Sequence, residues 1–164
     1  MFAYARRLGL DWGNNTLRDC GYRHYKCGCF ETFIDIGNVT AKDQPSHTHA
    51  DTFSYVLRID GRPFVVDTGI STYNKDVRRQ YERGTSAHNT VVVDGSDSSE
   101  VWAGFRVGRR AKVTVLKDDD CHCCAVHNGY GNKKPVEREF TLSENFFEIK
   151  DCLPFQGSKI SYIH

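Results

Sequence analysis

The chain has 164 residues, 39% apolar and 26% charged, a balance that fits a folded globular protein and excludes a disordered one. Lys and Arg number 22 against 21 for Asp and Glu, so the net charge of +1 argues against a strongly basic nucleic-acid surface. No apolar run reaches the roughly 20 residues of a spanning helix, and the first ten residues lack a signal-peptide core, so neither nucleic acid nor membrane is expected as a partner.

In chain order, residues 1–10 place Phe2, Ala5 and Leu8 roughly on one face, as in the tail of a helix that Gly13-Asn14-Asn15 then breaks. Gly21 to Cys27 and Cys29 to Ile36 flank Gly28 as a hairpin. Thr52 to Ile59 alternates and turns at Asp60-Gly61 into Pro63 to Asp67. Thr68 to Ala87 reads as one long polar loop of the kind that serves a site. Thr90 to Val93 runs into a second Asp-Gly turn. Phe105 to Leu116, Cys123 to Asn128, Val136 to Leu142, Phe146 to Asp151 and Ile160 to Ile163 read as further strands. Short strands with turns about every ten residues predict an all-β, antiparallel sandwich. The expected organisation is a remnant of a preceding helical domain over 1–15 and a β-sandwich over 16–164, incomplete at its C-terminal end.

Seven cysteines, three of them crowded at Cys121, Cys123 and Cys124, cannot all pair within one chain. They favour a reducing compartment or a fragment over a disulfide framework. Cys121-His122-Cys123-Cys124 offers one crowded cysteine run and lacks the second pair of a zinc site.

The densest chemical signal is Pro45-Ser46-His47-Thr48-His49-Ala50-Asp51. In an extended chain His47 and His49 project from one face. With Asp67 after the next turn and His88 before a later strand, imidazoles and a carboxylate make a suitable zinc ligand set. His49-x-Asp51 with a distant His equally fits the two-His-one-carboxylate pattern of non-haem Fe(II) oxygenases, and spacing does not separate the two. Tyr73 and Tyr81 share their loop with Arg78, Arg79 and Arg83, which marks them as candidates for proton transfer. The arginines, with Arg106, Arg109 and Arg110 further on, suit bidentate binding of carboxylates or sulfates.

The stretches QPSHTHADTFSYVLRIDGRPFVVDTGISTY, RRQYERGTSAHNTVVVDG and SEVWAGFRVGRRA closely resemble the heparinase II/III-like polysaccharide lyases. The resemblance is specific over about 65 residues, 44 to 110, and looser on either side; it covers the first part of that family's C-terminal, supersandwich-type β-domain. It implies that His49, Asp67 and His88 are zinc ligands, with Asp51 structural. It implies that His47 lines the cleft beside the metal, that Tyr73 is a proton-transfer group, that Asn89 supports the metal histidine, and that Arg78, Arg79 and Arg83 lie in substrate-binding stretches. The implied reaction is β-elimination on a uronate-containing acidic polysaccharide, with zinc in a structural role. The main catalytic groups of such lyases sit on an N-terminal α/α-toroid, which this chain does not contain, so the chain alone is expected to be inactive. An Fe(II) oxygenase sandwich and a non-catalytic carbohydrate-binding or structural sandwich stand as alternatives. The family implies a periplasmic or secreted protein, whereas the odd cysteine count leans toward the cytoplasm.

Overall fold

The computed structural model describes residues 2–9, 17–39 and 45–162. After a short helix, α1 (Phe2–Arg7), the chain forms two four-stranded antiparallel sheets. The first has the order β1-β2-β3-β4, from Tyr22–Cys27, Phe30–Asp35, Tyr55–Ile59 and Arg62–Val65. Strands β5 (Val91–Val93), β6 (Val101–Trp102) and β7 (Arg106–Val107) follow. The second large sheet has the order β11-β10-β9-β8, from β8 (Val113–Asp118), β9 (His122–His127), β10 (Val136–Leu142) and β11 (Phe147–Cys152). A last strand, β12 (Ile160–Tyr162), pairs with β5. No helix among the described residues is long and apolar enough to cross a membrane.

The sandwich follows from period-two burial. Strand β10 buries Val136, Arg138, Phe140 and Leu142 in strict alternation, and β1 buries Arg23 and Tyr25. These faces meet Ile34, Tyr55 and Leu57 of the first sheet and Cys123 and Ala125 of the second in one core. The rings of Tyr55, Phe140 and Phe147 stand 5.5 to 6.3 Å apart at its centre. Both Asp-Gly turns form as expected: Asp60 and Gly61, and Asp94 and Gly95, all have positive φ, as a two-residue hairpin turn of the primed type requires. All seven cysteines are free thiols.

Three expectations change. The strand read from Thr52 starts only at Tyr55, because Phe53 takes φ 68°, which no strand residue adopts. The strand read over Phe105 to Leu116 divides into β7 and β8. Gly108 comes so close to Glu100 and Trp102 that a Cβ there would overlap the Glu100 carboxylate. The long polar loop contains a helix, α2 (Val77–Arg83), capped by Asp76, whose side chain accepts the Arg79 N–H at 2.9 Å.

One buried ion pair within the second sheet, Arg138 on β10 with Asp151 on β11, also reaches the loops of the site. Arg138 donates to both Asp151 oxygens, at 2.7 and 2.8 Å, and to the carbonyls of Phe53 and Asn89. The second sheet thereby holds the segments on either side of the candidate site.

Candidate active site and metal centre

The segment 46–52 is not a strand. It leaves a short 3₁₀ turn (Pro45–His47) and is held by its carbonyls. Arg79 donates to Ser46 O, Arg83 twice to Thr48 O, Thr85 and Ser98 to Ala50 O, and Thr90 to Thr52 O. All five donors are buried. The alternation of clamped carbonyls leaves His47, His49 and Asp51 to line a cavity of about 270 Å³, together with Cys20, Tyr22 and Asp35. The extended-chain reading fails here, yet His47 and His49 still share one cavity.

Behind that cavity lies a chain of three titratable groups. His49 Nδ1 and His88 Nε2 are 3.2 Å apart, and His88 Nδ1 donates to Asp67 Oδ2 at 2.7 Å. Asp67, and not Asp51, is the carboxylate bonded to His88. Burial, then the facing His88, hold the pKa of His49 below its ordinary value. Burial alone would also depress His88, but the Asp67 hydrogen bond and the Asp51 charge outweigh it and hold His88 above the ordinary range. Burial alone would raise Asp67, but its hydrogen bonds to His88 and the Gly69 N–H and the charges of His88 and His49 together hold it below the ordinary carboxylate range.

These residues fit a metal in part. Two nitrogens of a tetrahedral zinc shell stand about 3.3 Å apart for Zn–N bonds of about 2.0 to 2.1 Å. The facing imidazole nitrogens have that spacing. Asp67 lies on the far ring nitrogen of His88, where an outer-shell carboxylate orients a metal-binding histidine. Among the described residues no three His, Cys, Asp or Glu side chains converge on one point.

Asn89 gives its amide to the carbonyls of Tyr55 and Val66, at 2.9 and 3.0 Å, and so joins the end of β3 to the segment carrying Asp67. His47 and Tyr73 are both exposed, and their rings meet edge to face at 5.8 Å. Tyr81 is exposed on α2.

The three arginines of the site divide. Arg78 is at the surface and donates to Glu82. Arg79 and Arg83 are wholly buried, and among the described residues their guanidiniums bond to carbonyls, with two aromatic rings flanking that of Arg79. The expectation that all three meet substrate is therefore narrowed to Arg78, because side chains with no exposed surface are spent on the fold. Burial, then the charge of Arg79, lowers the pKa of Arg83 from its ordinary value. Arg109 likewise donates to the carbonyls of Ser98, Gly129 and Asp97. His122 of the cysteine-rich stretch pairs with Glu139 at 2.6 Å. Sequence reasoning missed Thr85, Thr90 and Ser98 as the holders of the histidine segment; their only signal was a polar run abutting an apolar strand.

A search of curated proteins finds no match. Among solved structures, a heparan sulfate lyase HepC mutant from Pedobacter heparinus superposes with a TM-score of 0.63 at 16% identity, over 92% of this chain. The chain spans 26% of that protein's length, and at this identity the likeness is one of fold. The family model for the heparinase II/III-like C-terminal domain matches residues 10–160. A match over nearly the whole chain, on a sandwich that gathers the paired histidines into one site, places the chain in the heparinase II/III-like C-terminal domain family.

Proposed function

We propose that the chain forms one wall of a polysaccharide lyase cleft that cleaves uronate-containing acidic polysaccharide by β-elimination. Its proton-transfer groups are His47 and Tyr73. The observation that supports this reading is their pairing, exposed and 5.8 Å apart, beside the His49–His88–Asp67 chain with its buried central imidazole.

Elimination at a uronate asks for three things: neutralisation of the C6 carboxylate, removal of the C5 proton and protonation of the departing O4. As the C5–H bond breaks, its electron pair forms the C4–C5 double bond and the C4–O4 bond opens. Rings at this separation reach both ends of that change on one sugar, so imidazole and phenol share the base and acid duties. Arg78, exposed on α2, is suited to the carboxylate or a sulfate. Zinc would be held by His49 and His88, with Asp67 orienting His88 through its other ring nitrogen, and when bound it would supply a fixed link between the two histidine segments. The opposing wall belongs to a helical toroid of the same protein.

Product formation is read as the ultraviolet absorbance of the unsaturated sugar, with heparan sulfate, heparin and alginate as substrates. The chain alone is expected to show no turnover. Joined to a toroid, His47→Ala and Tyr73→Phe should each lower the rate by about 10² to 10⁴. Turnover unaffected by either substitution would overturn the assignment. Turnover by the chain alone would show that the sandwich needs no second wall. Elemental analysis should find about one zinc per chain, lost in His88→Ala.

A further inference from the structure

Helix α2 has seven residues, and its buried face is made of Arg79, Glu82 and Arg83. Arg79 has no exposed surface, and its guanidinium meets three separate segments. Nε donates to Gly104 O at 2.5 Å, one terminal nitrogen to Thr72 O at 3.2 Å and the other to Ser46 O at 3.4 Å. Thr72 and Ser46 are the residues immediately before Tyr73 and His47. The same guanidinium is flanked by two rings, with its Cζ 5.0 Å from the Tyr73 centroid and 4.3 Å from that of Phe105. No Asp or Glu lies within ion-pairing distance of it among the described residues.

A buried cation without a carboxylate is costly, and hydrogen bonding to carbonyls alone does not call for a guanidinium at each point. What only a planar fork supplies is a fixed angle between donors that point to different segments. We propose that Arg79 is the positioning residue of the proton-transfer pair, fixing His47 and Tyr73 relative to one another through the carbonyl preceding each and through the face of the tyrosine ring. This rests on the lyase reading for its functional meaning, but its geometric content does not. A second tie to the tyrosine segment runs through the same helix: Glu82 accepts hydrogen bonds from the N–H and the hydroxyl of Ser71. Helix α2 thus holds the Tyr73 segment at Ser71 and Thr72, and the His47 segment at Ser46 through Arg79 and at Thr48 through Arg83. Arg79 is the side chain common to both.

The test uses Arg79→Lys and Arg79→Met. Lysine keeps the charge and the stem but carries its donors on one nitrogen, without the fixed planar spread by which three nitrogens reach Gly104, Thr72 and Ser46. Amide hydrogen exchange is followed in peptides covering 45–49 and 70–74, with β10 as the internal reference. Both variants should raise exchange in the two site segments by about tenfold or more while β10 keeps its protection. In the protein that turns over uronate polymer, kcat should fall by about 10²-fold with little change in KM, and lysine should not restore it. Unchanged exchange in either segment would overturn the proposal, as would a rise shared equally by β10 or a lysine variant with the wild-type kcat. Exchange needs no turnover, so a protein without lyase activity would remove the functional reading and leave the exchange result to decide the positioning claim.

Discussion

Asn89 follows the buried imidazole of His88 and gives its amide hydrogens to the carbonyls of Tyr55 and Val66. Asn89→Ala would leave Tyr55 O without that partner in a buried place and Val66 O without it in a half-buried one. It should cost about 2 to 3 kcal/mol in a urea titration, with the slope unchanged. His127 is a second residue whose state can be read in solution. Burial, then the charge of Arg138, pushes its pKa down to about 4, and its Nδ1 accepts the Gly129 N–H, which suits a neutral ring. The unfolded chain, with an ordinary histidine near 6.5, binds the proton first. Stability should therefore fall as pH drops from about 6.5 to about 4, by about 3 kcal/mol in all, and show no further loss from this group below that. Asp35 acts in the opposite sense over much of the same range. Burial and the Asp51 charge push it up to about 7, so its contribution is lost as pH rises through that value. The measurement is accordingly the difference between wild type and His127→Gln as a function of pH. A difference that stays flat from pH 7 to 4 would show that His127 is not held neutral.

At the scale of elements, the hairpins were legible because their turns are chemical: Asp60-Gly61 and Asp94-Gly95 demand positive φ, and the flanking residues alternate. Helix α2 was not legible. Of its seven residues, VRRQYER, the apolar ones are Val77 and Tyr81, and both are exposed, while its buried face is Arg79, Glu82 and Arg83. A helix that buries charge gives no hydrophobic stripe for periodicity to find. The same inversion misdirected the reading of the arginines, since cations are ordinarily surface groups. The histidine pattern was legible as a site, but its backbone was not. His47 and His49 share a cavity because alternate carbonyls are clamped, a fact held in Thr85, Thr90 and Ser98 far along the chain. The first hairpin carries its own constraint. Gly21 has φ 92°, and a Cβ there would stand 2.2 Å from the Gly37 Cα, where backbone faces backbone across the base of β1 and β2. Gly21→Ala should cost about 3 kcal/mol or more, read as a lowered thermal midpoint, and the strain should also disturb the cavity wall that Gly37 forms.

For the molecule as a whole, the Arg138–Asp151 pair is the tie between the second sheet and the site-bearing loops. Arg138→Ala should cost about 3 to 5 kcal/mol by leaving a buried carboxylate alone. Pairing it with Asp151→Ala should recover part of that loss, a coupling that a double-mutant cycle measures directly. The clamped carbonyls of 46, 48, 50 and 52 have a consequence of another kind. A segment gripped by its main chain is indifferent to much of what it displays. Side chains at 47 and 51 can therefore be exchanged while the backbone stands, so the chemistry shown to a ligand can be altered without undoing the segment. The residues doing the gripping, at 79, 83, 85, 90 and 98, are not free in that way. Change in such a site enters through the positions that face the cavity, and the shape beneath them is kept by the ones that do not.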